Sequence, residues 1–222
     1  MDLSGVLGKN PPPSGGDAIT EFTTEAHNFG LDIKGPAKAD DRIHRVADIH
    51  GTGKNNDTGW YVFKEIDGIY FGAFGSWKAG RGQANWCSRE PSEISVAQRF
   101  NIETARKDQE RRIADGRARA AISAAAVVQA ADGAGTNHPY LVAKGIGPHG
   151  IKQVGADLVI EISDIDGNTI SKQTIPPDGG KKRFMKDGAT TGGMYQIGKV
   201  KGLIQVAEGF ATAASIFEAT GD

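Results

Sequence analysis

The chain has 222 residues, 38% of them hydrophobic, and a formal net charge of −1. That is enough for one sizeable core or two small ones, and nothing global advertises a polyanion-binding protein. Its single cysteine, Cys87, excludes an intramolecular disulfide and a cysteine-rich zinc site.

Residues 1–16 include Pro11-Pro12-Pro13-Ser14-Gly15-Gly16, the composition of a linker or disordered lead. Asp17 then suits the cap of a helix whose apolar side uses Ile19, Phe22, Ala26 and Phe29, with Gly30 as its stop. From Arg42 to Trp77 the pattern is strand-like: Ile43, Val46 and Ile49, then Trp60 to Phe63, then Ile69 to Phe71. The segments 51–57 and 66–68 carry turn chemistry, and Asp67-Gly68 suits a tight hairpin. Residues 17–91 therefore read as a helix plus a small antiparallel β unit. His44 and His50 sit six apart in this stretch and read as surface or packing residues, because no metal-ligand spacing connects the five histidines.

Residues 92–137 are a helical connector, rich in Gln, Glu, Arg and Ala, starting near Ser92 or Ser95 and open to a break at Gly116. Ten Lys/Arg face six Asp/Glu across residues 78–119, and seven face two across 172–201. A solvated surface accounts for either excess as well as a phosphate contact does. No apolar run is long enough to span a membrane, and the N-terminus has no basic-then-apolar leader, so the expectation is a soluble, cytoplasmic protein.

A new module opens at His138. His138 to Ile146 reads as a short helix closed by Gly145, and Leu158 to Ser163 as a strand entering the turn Asp164-Ile165-Asp166-Gly167-Asn168. Thr169 to Ile175 returns as its partner, and Asp164 with Asp166 reads as turn chemistry rather than a metal pair. The basic run Lys181-Lys182-Arg183-Phe184 follows, then a glycine loop from Gly188 to Gly193. Leu203-Ile204-Gln205-Val206-Ala207 reads as an apolar strand that delivers Glu208-Gly209 to the start of an alanine-rich helix. At the carboxyl end of a strand, Glu208 would stand where open α/β sheets bind ligands, and a carboxylate there suits a metal or acid–base role.

The ordered set Tyr140-Leu141 with Lys144-Gly145, Asp164 to Gly167, Lys181-Lys182-Arg183-Phe184, Tyr195 and Glu208-Gly209 resembles the core of bacterial replicative primases. It is closer still to the primase-like proteins of phages and conjugative plasmids. The upstream pieces Asp41 to Arg45, Gly59-Trp60-Tyr61 and Gly72 to Trp77 extend the likeness to roughly residues 18–221.

The resemblance implies an α+β protein: the N-terminal helix and β unit, the connector, a primase-core mixed sheet over 138–200, and the start of a Toprim α/β domain over 201–222. It implies template-directed nucleotidyl transfer that makes primers on single-stranded DNA from nucleoside triphosphates, with Mg²⁺ or Mn²⁺, no zinc, and a fused or partner helicase. Glu208 would hold metal or assist proton removal. Lys181, Lys182 and Arg183, with Lys144, would face phosphates, and Trp60, Tyr61 and Trp77, with Tyr70, would stack on template bases or else form the core of the small sheet.

The family's second strand-end carboxylate and Asp-x-Asp pair have no counterpart in this sequence, so catalysis by this chain alone is not expected. A non-catalytic nucleic-acid or replisome-binding module derived from a primase is the competing expectation, and a topoisomerase or nuclease ranks below both. The unit around residues 200–222 is expected to be mobile or covered by another chain, because its strand would leave an open sheet edge.

Overall fold

The computed structural model describes residues 15–50, 56–78, 80–199 and 202–221. The proline-rich lead, Gly15 and Gly16 apart, and most of the 51–57 turn lie outside the described residues. The chain divides into two compact units, residues 1–108 and 109–222. The architecture is α+β, as expected.

The first unit opens with helix α1 (Gly15–Phe29), two residues ahead of the expected cap at Asp17, which lies in its first turn. Gly30 ends it at φ 102°, a backbone conformation that favours glycine. Five strands follow: β1 (Leu31–Asp32), β2 (His44–Asp48), β3 (Gly59–Ile66), β4 (Ile69–Ser76) and β5 (Gln83–Cys87). They pair antiparallel in sequence order.

The β3–β4 turn is made by Asp67 and Gly68, both at positive φ, which is the geometry that matches the right-handed twist of a hairpin. Phe22 of α1 is the hub of the core: it stacks on Phe63 at 4.3 Å and meets Tyr61, Phe74 and Trp86 edge-on. Gly72 lies directly beneath this ring, and any side chain there would overlap it.

Helix α2 (Val96–Ala130) runs 35 residues without a break at Gly116. One glycine costs only about 1 kcal/mol in a helix, too little to interrupt a segment made almost wholly of strong helix formers. Its start is fixed by a reciprocal box, in which the Gln98 N–H donates to the Ser95 hydroxyl at 3.2 Å and the Ser95 N–H to the Gln98 amide oxygen at 3.1 Å. Ile102 near this end packs with Ile69, Phe71, Cys87 and Ile94 on the side of the first sheet away from Phe22.

The second unit holds a five-stranded sheet in the order β10-β9-β8-β7-β6, namely β6 (Asp132–Gly133), β7 (Lys152–Val154), β8 (Asp157–Ser163), β9 (Thr169–Ile175) and β10 (Arg183–Phe184). The mixed sheet anticipated for this region is antiparallel throughout its described strands: short turns join β7 to β8 and β8 to β9, whereas β6 reaches β7 through residues 134–151. Helices α3 (Pro139–Lys144) and α4 (Phe210–Thr220) pack Tyr140, Leu141, Phe210 and Ala214 against Leu158, Ile160, Ile162 and Ile175. Gly145 closes α3 in the left-handed region, as read from sequence, and His138 caps its start by accepting the Tyr140 N–H, a role the sequence reading did not give it. The His138 Nε2 also lies 2.8 Å from the Ala156 carbonyl, so this buried imidazole is fully engaged.

The expected strand before Glu208 is absent. Residues 203–207 carry no secondary structure, and Leu203, Ile204 and Val206 are 64, 66 and 90% exposed. An apolar run becomes a strand only when another strand pairs with it, and no described strand does. The helix after it is anchored, with Phe210 and Ala214 in the core.

Candidate functional site

The basic run is the feature around which the second unit builds a cleft. Arg183 pairs with Thr174 across β10 and β9, and the two residues before it continue out of the edge strand. Lys181 lies at a bend just ahead of β10. Together with Arg183 it lines one cleft of about 270 Å³, along with Asp157, Thr174, Pro176 and Asp178.

Lys182 takes the other side. Its Nζ donates to the Tyr140 hydroxyl at 3.0 Å and lies 5.3 Å from the centre of that ring. The three cations expected to act together therefore split into a pair that faces the cleft and one that clamps a buried tyrosine. Among the described residues, neither Lys181 nor the Arg183 guanidinium has an ion-pair partner.

Two acidic residues and a threonine that sequence reading did not single out complete this lining. Asp178 sits in the Pro176-Pro177-Asp178-Gly179-Gly180 turn, where its carboxylate also accepts the Gly180 N–H at 2.9 Å. Asp157 opens β8. The turn composition around Asp178 was the one sequence signal; Thr174 comes opposite Arg183 only through the pairing of β9 with β10. Two cations beside two carboxylates suit a ligand that offers both anionic oxygens and hydroxyl donors, which a nucleotide does through its phosphates and its ribose.

The remaining expected site residues are dispersed. Lys144 is exposed in the last turn of α3, where a cation complements the helix dipole, and it does not line the cleft. Glu208 is exposed just ahead of α4 and makes no described side-chain hydrogen bond or ion pair. Among the described residues, no group of three His, Cys, Asp or Glu side chains could hold a metal ion. A single exposed carboxylate is too small a ligand set for Mg²⁺, so the residues described do not by themselves fit the expected metal, and no reaction step is routed through one.

The turn Asp164 to Asn168 is turn chemistry, as read: the Asp164 carboxylate accepts the Asp166 and Asn168 N–H groups and the Asn168 amide. Those hydrogen bonds, that of the Asn168 side chain first, hold its carboxyl below the ordinary range.

In the first unit the aromatics divide by face. Tyr61 is 4% exposed, packed beside Phe22 and stacked on His44 at 4.7 Å, so it belongs to the core and offers no free face to a base. Tyr70 likewise stacks on Phe63. Trp60 and Trp77 lie apart from that core, 5.9 Å from each other, and Trp77 is 51% exposed.

Comparison with known proteins identifies no relative: no family model, no curated protein and no solved structure matches this chain. No described helix is long and apolar enough to cross a membrane.

Proposed function

We propose that the chain is the nucleotide- and strand-binding part of a primase-type nucleotidyltransferase. The observation that carries the reading is the pairing of Lys181 with Arg183 in one cleft beside Asp157 and Asp178. An Arg fork and a Lys point charge two residues apart suit adjacent phosphate oxygens, and the carboxylates suit sugar hydroxyls. The order of motifs from Tyr140 to Glu208-Gly209 supports a primase as the source of that cleft rather than another nucleotide-binding protein.

In this reading Lys181 and Arg183 hold the polyphosphate, and Lys182 keeps the edge segment seated on Tyr140. Glu208 is the residue through which the protein would contribute to a Mg²⁺ or Mn²⁺ site, which one carboxylate does not complete. A helicase partner and replication of a phage or plasmid belong to the same proposal. The isolation of Glu208 favours a second reading, a primase-derived module that binds nucleic acid without chemistry of its own.

Template-dependent incorporation of labelled ribonucleotides on single-stranded DNA separates the two, with Glu208→Gln as control. Incorporation that disappears in the control is the result expected of the catalytic reading. Binding without incorporation is expected of the second, and absence of both nucleotide and DNA binding contradicts the proposal.

A further inference from the structure

The first sheet carries a second surface that the nucleotide cleft does not use. Arg45 pairs with Trp60, and Trp60 with Gly75, in register across β2, β3 and β4. Because side chains alternate, Trp60 and Arg45 fall on the face opposite Tyr61, Phe63 and the α1 core. Gly75 has no side chain, and a Cβ there would crowd the Gly82 carbonyl, the Gln83 Cβ and the Trp60 indole, so the ring sits close against the β4 backbone.

Trp77 follows β4 and sits 5.9 Å from Trp60 with the ring planes 35° apart. The Arg45 guanidinium lies 4.7 Å over the Trp77 ring. Arg45 makes no ion pair among the described residues, whereas the nearby Asp40 and Asp41 are engaged by His44 at 2.8 Å and Lys64 at 3.5 Å. The face therefore offers planar stacking surfaces together with a cation that has no carboxylate of its own.

We propose that the Arg45–Trp60–Trp77 face binds single-stranded nucleic acid, with bases stacking on Trp77 and Arg45 meeting a phosphate. Unpaired bases present the π faces that such a platform takes, whereas duplex bases have theirs occupied by stacking neighbours. An acidic protein segment would satisfy Arg45 but leave the two indoles without planar partners. The binding stands on the geometry of the first unit. Only the naming of the bound strand as a template rests on the nucleotidyl-transfer reading.

The test uses the full chain and a fluorescently labelled oligothymidylate, followed by anisotropy over a series of salt concentrations, with a blunt duplex of equal length as competitor. Trp77→Ala is the principal variant, because the half-exposed ring can be removed without opening the core. Arg45→Ala is the second, and thermal melts establish that both fold. The proposal expects Trp77→Ala to weaken oligothymidylate binding about tenfold, within the range of base–aromatic stacking. It expects Arg45→Ala to flatten the log–log salt dependence by about 0.7. Both variants should bind a labelled nucleoside triphosphate as the parent does, which separates failure here from failure of the cleft assignment.

Three results would overturn the proposal: no oligothymidylate binding by the parent, equal competition by the duplex, or both folded variants binding within twofold of the parent.

Discussion

Cleft lining and packing are divided among three consecutive residues. Lys181 and Arg183 face the cleft while Lys182 holds Tyr140, so replacing Lys182 by Ala should lower the melting temperature and leave triphosphate affinity nearly unchanged. Replacing Lys181 by Ala should do the reverse, weakening triphosphate binding by roughly tenfold, the usual scale of a charged hydrogen bond. Calorimetric melts beside equilibrium titrations distinguish the two patterns.

Asp48 supplies a pH test at the same scale. Burial alone would push its carboxyl up, but the Ser76 hydroxyl, the His50 N–H and Arg81, with Lys78, outweigh burial and hold it below the ordinary value. A depressed folded value means that the stabilisation is fully present above the ordinary aspartate range and is lost as pH falls through the folded one. Acid unfolding followed by circular dichroism should therefore show a steep loss of stability below pH ~4. In Asp48→Asn that loss should be shallower and start from a lower stability at neutral pH.

Elements with local causes were legible in the sequence, and those that depend on distant partners were not. The Asp67-Gly68 hairpin, the Gly30 and Gly145 stops and the Asp164 turn each follow from a residue and its immediate neighbours, and the chain adopts all of them. The strand before Glu208 depended on a partner elsewhere, and Leu203 to Val206 stay exposed for want of one. Backbone amides of residues 202–207 should accordingly exchange within seconds to minutes, while those of α4 beyond its first turn are protected. Uniform protection across both segments would contradict this description.

Helix α2 gives the complementary case, since Gly116 looked like a break and is not one. A Cβ there would find its nearest neighbour, the Asp187 Cβ, at an ordinary 3.7 Å. Gly116→Ala should therefore stabilise the protein by about 0.5–1 kcal/mol, read as a raised melting midpoint. A lowered midpoint would mean that the helix needs the glycine for a close approach or a bend.

Across the whole molecule, a net charge of −1 concealed how the charges are arranged. The basic excess over residues 172–201 could be located in sequence, but its division between cleft and packing is set by the pairing of β10 with β9. The acidic half of the cleft was likewise invisible, because Asp157 and Asp178 lie 21 residues apart and meet only through the fold. Among the aromatics, the alternation along β3 was readable, yet which face would be covered depended on where α1 docks. Tyr61 went to the core and Trp60 to the other face for that reason.

Whether the cleft holds phosphate is decided by equilibrium binding of a labelled nucleoside triphosphate to the parent chain and to the Lys181→Ala/Arg183→Ala double variant at several salt concentrations. The parent should bind in a salt-sensitive manner, and the double variant, its melt unchanged, should form an at least tenfold weaker and less salt-sensitive complex. Equal affinity and equal salt dependence in the two folded proteins would contradict this reading, and would leave the cleft without a role in holding phosphate.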